Sequence, residues 1–155
     1  MEFMFKNPPN DDQLPTALIF TKKNNIFELN FERDTIKIIY QYSEPFSIQP
    51  NYFVANESQD IFVAASMHDA FWVNLKERTD VDLDLLYNVD SITQIIYDQE
   101  DKMFYFLANK KNGFIGFYLI KFEENNPGSF SFITMWKTLL EIGDATIVIQ
   151  RGLDS

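Results

Sequence analysis

A short apolar–polar motif recurs three times in this chain, and it limits the folds open to it. The copies read FELNFER at Phe27 to Arg33, FWVNLKER at Phe71 to Arg78, and YLIKFEE at Tyr118 to Glu124. Each places apolar residues at alternate positions, the spacing of a strand with one buried face, and then turns polar. The first apolar position falls at Phe27, Phe71 and Tyr118, so the intervals are 71 − 27 = 44 and 118 − 71 = 47. A unit of this length that repeats cannot cover both faces of its own sheet. It must stack on neighbours, so the repeat already predicts a partner or a longer array.

The intervening sequence reads as strands and tight turns. Leu18 to Phe20, Ile26 to Phe31 and Ile36 to Tyr42 are separated by Lys22-Lys23-Asn24-Asn25 and Glu32-Arg33-Asp34. Short strands joined by Asn- and Asp-rich turns are the mark of a β-meander. The plan repeats with Tyr52 to Ala55, Ile61 to Ala65, Phe71 to Leu75 and a strand from Val81, and again with Ile92 to Tyr97, Met103 to Ala108, Phe114 to Phe122 and Phe130 to Trp136. Ile61 to Ala65 and Met103 to Ala108 are wholly apolar, as suits inner strands buried on both faces. Gly116 suggests a bulge. Residues 1–15 carry Asn7, Pro8, Pro9, Asn10, Asp11, Asp12 and Pro15 and read as an arm or linker, with Phe3 to Phe5 as a small strand or the remnant of an upstream element. Ala145 to Gln150 resembles Thr16 to Thr21, as though a fourth unit begins. About twelve strands in three units of four result. No long segment keeps a helical apolar period free of turn residues.

Composition narrows the function classes. The 155 residues suit one domain, and 46% hydrophobic content is enough for a core. Sixteen Phe and seven Tyr lean towards pleated, half-buried surfaces. A net charge of −10 argues against nucleic acid and against anionic membrane surfaces, and favours a basic partner where steering matters. With no Cys, disulfides, thiolate metal sites and Cys nucleophiles are excluded. The N-terminal sequence is not a secretory signal, and no apolar run is long enough for a membrane helix. A cytoplasmic location is expected.

A period of about 40–50 residues with several strands per period is the signature of propeller blades. The third unit, IIYDQEDKMFYFL at Ile95 to Leu107, resembles blades of the YWTD and NHL propeller type. Tyr97-Asp98 and Phe104-Tyr105-Phe106 carry that likeness, and FVANESQDIFVAA at Phe53 to Ala65 carries it more weakly. The Trp-Thr-Asp end of the YWTD motif is missing, as are the Gly-His and Trp-Asp pairs of tryptophan–aspartate repeats and the double glycine of kelch repeats. The fold class expected is all-β, with about three four-stranded antiparallel blades forming a partial β-propeller. The units fall at 1–15 (arm), 16–50, 51–94, 95–142 and 143–155 (start of a further blade or C-terminal strand). What this class implies is a non-enzymatic protein–protein interaction scaffold. Closed propellers usually have four to eight blades, so three leave two raw ends. The chain is then a piece of a larger protein, pairs with itself, or completes a disc with another subunit, in that order. The rival reading is a small up-and-down β-barrel that holds an apolar ligand.

Several residues carry chemistry in other proteins. His68, the one histidine, sits in the turn-forming sequence Ser66 to Ala70, where solvation outweighs a metal role. Asp80, Asp82 and Asp84 form an alternating acidic row, with Asp90 beyond; Leu85 and Ser91 stand where an EF-hand needs Gly and Glu, so a solvated sheet edge is favoured over calcium. Asp98, Glu100 and Asp101 are better placed to cap a turn than to hydrolyse a glycoside. No catalytic residue, cofactor or metal is assigned. Phe27, Phe71, Trp72, Tyr118 and Trp136 are the expected partner or inter-blade contacts.

Overall fold

The computed structural model describes residues 2–6, 10, 12–21, 25–41, 52–67, 69–83, 89–110, 117–129, 131–135 and 150. The strands are β1 (Glu2–Lys6), β2 (Thr16–Phe20), β3 (Asn25–Asn30), β4 (Thr35–Gln41), β5 (Tyr52–Ala55), β6 (Ile61–Ala65), β7 (Ala70–Asn74), β8 (Thr79–Asp82), β9 (Val89–Asp98), β10 (Met103–Lys110), β11 (Phe117–Glu123) and β12 (Ser131–Met135). Each successive group of four forms its own antiparallel meander, giving three four-stranded sheets. This is a partial β-propeller.

The turns show why the chain reverses where it does. Asn30 Oδ1 accepts the Arg33 N–H at 2.9 Å, and Asn74 Oδ1 accepts the Glu77 N–H at 2.9 Å. Asp98 Oδ1 accepts the Glu100 N–H at 3.1 Å. In all three turns the last residue has a left-handed backbone: Asp34 (φ 48), Arg78 (φ 55) and Lys102 (φ 53). An Asx side chain that caps its own turn makes such a loop affordable without glycine.

Strand alternation then sorts side chains to two interfaces. In β6, Phe62 and Ala64 face the first sheet, where they join Leu18, Phe20 and Ile26. Ile61, Val63 and Ala65 face the third, where they meet Phe104, Phe106 and Ile120. All five β6 residues are buried, which explains their uninterrupted apolar run. Phe20 stacks on Phe53 of β5 with ring centroids 3.7 Å apart. The second sheet is therefore the filling between the first and third, and β5 touches both β1 and β9.

Three expectations are corrected. A closed barrel would hydrogen-bond its strands into one continuous cylinder; here the described strands form three separate sheets, so the apolar-ligand barrel is not the fold. Within the stretch read as an arm, Glu2–Lys6 is β1, paired residue for residue with β2 from Glu2↔Phe20 to Lys6↔Thr16. A five-residue strand beside a Pro-Asn cluster carries little local signal, and only the exposed edge of β2 recruits it. The third sheet likewise starts at Val89, ahead of the boundary drawn at 95. The bulge expected at Gly116, His68, Trp136 and the start of a fourth unit lie outside the described residues.

Candidate functional site: the uncovered face of the first sheet

β3 alternates around Ile26, which is buried against the second sheet, so Phe27 and Leu29 take the opposite face. Register carries that face across the sheet. Phe27 lies between Ile19 and Ile38, Leu29 lies between Ala17 and Ile36, and Phe5 lies opposite Ala17. None of these side chains is charged. Ile36 is 61% exposed, Ile38 58%, Phe5 53% and Phe31 46%. The Phe5 and Phe31 rings approach to 6.3 Å, so the apolar surface runs from β1 across to the turn after β3. Isolated exposed hydrophobes are ordinary; here four stand on one face around half-buried Ile19, Phe27 and Leu29 and buried Ala17, which marks an interaction surface.

The second sheet shows what such a face is for. Its motif copy has the same register: Asn74 pairs with Thr79, Val73 with Asp80 and Phe71 with Asp82, just as Asn30 pairs with Thr35, Leu29 with Ile36 and Phe27 with Ile38. Phe71 and Val73 thus occupy the positions of Phe27 and Leu29. Both are buried, because the first sheet covers them. In the third sheet Ile120 and Phe122 are buried in turn under the second. One face is repeated three times; it is covered twice, and the first copy stands open.

Each covered face is also clamped by a polar-tipped aromatic. Tyr40 of β4 donates its hydroxyl to Asp80 Oδ1 of β8 at 2.7 Å. Trp72 of β7 donates its indole N–H to the Glu124 carbonyl at 2.7 Å. Gln99 Nε2 donates to Glu57 Oε1 at 2.7 Å, tying the inner turns of the second and third sheets. Burial, then the bond to Asp80, pushes the Tyr40 hydroxyl well above its usual range; burial, then the bond to Glu124, does the same for Tyr97. Asp60 runs the other way. Burial alone would raise it, but donation from Ser58 and Asn56 outweighs this and holds it below its usual value.

Of the residues singled out in the sequence, Phe27 is half-buried on the open face, while Phe71 and Trp72 lie in the two seams. The backbone of Tyr118 pairs with Ala108 and Thr134, and its side chain lies outside the described residues, as does Trp136. Asp80 is half-buried and Asp82 exposed on the edge strand β8. Asp98 caps its turn, and Glu100 and Asp101 are exposed. Among the described residues no three His, Cys, Asp or Glu side chains are grouped to hold a metal ion. Sequence reasoning missed Phe5, Ile36, Ile38, Tyr40 and Glu124. Setting the first two motif copies in register would have exposed part of this, since Ile36 and Ile38 then stand against Asp80 and Asp82.

No protein-family model matches the sequence, and no curated protein matches it. Solved structures do match by fold. An oligogalacturonate lyase in complex with manganese superposes with a TM-score of 0.51 at 13% identity, over 83% of this chain and 39% of that one. The N-terminal domain of Nup159 gives 0.43 at 14% identity, over 83% and 29%. An oligogalacturonate lyase from Vibrio parahaemolyticus gives 0.40 at 9% identity, over 77% and 50%. At these identities the likeness concerns the fold alone, and this chain spans 39% of the length of the first of them.

Proposed function

We propose that this chain is a non-enzymatic protein–protein interaction segment, which completes its stack of blades with a further protein sheet. The observation that carries the reading is the open face of the first sheet, whose equivalents in the second and third sheets are both buried under a neighbour. Covering that face removes apolar surface from water at roughly 25 cal/mol per Å². Asp98, one of the acids that most resembled a catalytic pair, accepts the Glu100 amide within its turn, which supports the non-enzymatic reading. That capped aromatic–Asp turn also supports the likeness to YWTD and NHL blades.

The test is a pair of aspartates on the open face, Ile36→Asp with Ile38→Asp. Either the wild-type protein shows this face by binding the apolar dye bis-ANS, or it hides the face in a complex. The double variant should do neither while keeping a native far-UV circular dichroism spectrum. Dye binding and mass that are both unchanged by the substitutions would refute the reading.

A further inference from the structure

We propose that the open face of the first sheet is occupied by the same face of a second copy, in a two-fold symmetric dimer. This rests on reading the face as protein-binding, and it names the partner. The outer strand decides the matter. In the second sheet β8 presents Asp80 and Asp82, and Asp80 receives the Tyr40 hydroxyl of the covering sheet. In the first sheet the same register positions are Ile36 and Ile38. A covering sheet that ended in a polar-tipped aromatic would aim its donor at isoleucine, and a buried donor without an acceptor costs about 1–3 kcal/mol. The occupant must therefore be apolar out to its edge strand.

The chain offers two terminal faces for that role, and they differ in chemistry. On the far side of the third sheet, register places Tyr105 beside Lys121, Leu107 beside Gln94, and Met103 beside Glu123. Leu107 there is already buried, at 3% exposure. Stacking that face on Ile36 and Ile38 would desolvate an ammonium and a carboxylate against hydrocarbon. The open face of the first sheet has no charge in its paired rows, so it is complementary to itself. Isologous pairing about a two-fold axis is the commonest way such a face is closed.

Size agrees. Four strands about 4.8 Å apart, each presenting some five residues at about 3.3 Å, make a face roughly 15–20 Å on a side. Two such faces pack about 10 Å apart, with strands inclined by about 30°. Two faces of that size make a contact of roughly 450–800 Å² in flat projection, the low end for a specific interface, so the expected dimer is weak and concentration-dependent. The net charge of −10 on each copy opposes approach at long range, while the contact itself carries no charge. Added salt should therefore tighten the dimer.

Sedimentation velocity on the 155-residue protein, from about 1 to 100 µM, tests this. The expected mass is 2 × 18.2 = 36.4 kDa, favoured by salt. Ile36→Asp or Ile38→Asp should weaken association by about 30-fold or more, as for a buried anchor. Lys121→Ala on the third sheet should leave it unchanged. Because the chain has no Cys, Ile38→Cys supplies a single thiol, which a flexible bis-maleimide long enough to bridge two packed sheets should link between the copies of the dimer. A mass of 18.2 kDa throughout, with dye binding that Ile36→Asp abolishes, overturns the dimer but leaves a protein-binding face for another chain's blade. An open series of masses, or a dimer broken by Lys121→Ala, also overturns it. No association and no dye binding would remove both readings.

Discussion

Replacing Tyr40 with Phe deletes one oxygen from the seam between the first two sheets and leaves the ring in place. The side chain is 5% exposed and packs among Leu18, Phe20 and Ile26, so the phenyl ring keeps its contacts. What is lost is the 2.7 Å bond to Asp80 Oδ1. A hydrogen bond to a charged group is worth about 1.5–3 kcal/mol. Asp80 is only half-buried, and water replaces part of the interaction, which lowers the expected cost to about 1–1.5 kcal/mol. With an m-value of about 2 kcal/mol/M, the urea midpoint should fall by roughly 0.5–0.7 M, read by far-UV circular dichroism. A double-mutant cycle with Asp80→Ala should recover about 1 kcal/mol of coupling. The alkaline limb gives an independent check. Burial and the bond to Asp80 raise the folded-state pKa of Tyr40. The stability from its proton is thus fully present below the unfolded value of about 10, and is lost as pH rises towards the folded value. The Phe variant should lose stability less steeply above that pH. Coupling below about 0.3 kcal/mol, or an unchanged alkaline slope, would show that the two sheets are held by apolar contact alone.

The other seam should respond more strongly. Trp72→Phe removes the bond to the Glu124 carbonyl and leaves space beside the third sheet, at a cost of about 2–3 kcal/mol in urea unfolding. Arg78 holds φ 55 in its turn, so Arg78→Gly should raise stability by about 0.5 kcal/mol, whereas Arg78→Val should lower it by about 1 kcal/mol. The folded-state pKa of Asp60 lies below its usual value, so its contribution is present above the unfolded-state value of about 3.9 and is lost as pH falls from there through the folded value. Asp60→Asn should therefore flatten the loss of stability on acidification between about pH 5 and 3, measured by urea midpoints at each pH.

Much of the architecture is local, and for that reason legible. Period-two alternation in FELNFER and FWVNLKER assigns each residue to a face before any tertiary contact exists. Asn30, Asn74 and Asp98 close their turns through bonds only two or three residues long. The unbroken apolar run Ile61 to Ala65 announces a strand covered on both sides. What stayed hidden depends on groups far apart in the chain. Tyr40 and Asp80 are separated by 40 residues and Trp72 and Glu124 by 52, and no local pattern marks which donor meets which acceptor. The sequence leaves Phe3 to Phe5 open as a small strand or a remnant, because these residues join the first sheet only against the edge of β2.

The open face joins both kinds of information. Alternation along the strands determines that Phe27, Leu29, Ile36 and Ile38 share one side. Nothing within the motif says whether that side meets water or another sheet, since Phe27 and Phe71 hold the same motif position, yet Phe27 is half-buried on the open face and Phe71 lies buried in a seam. Stacking order settled that: burial belongs to a pair of sheets, and a single strand cannot encode its neighbour.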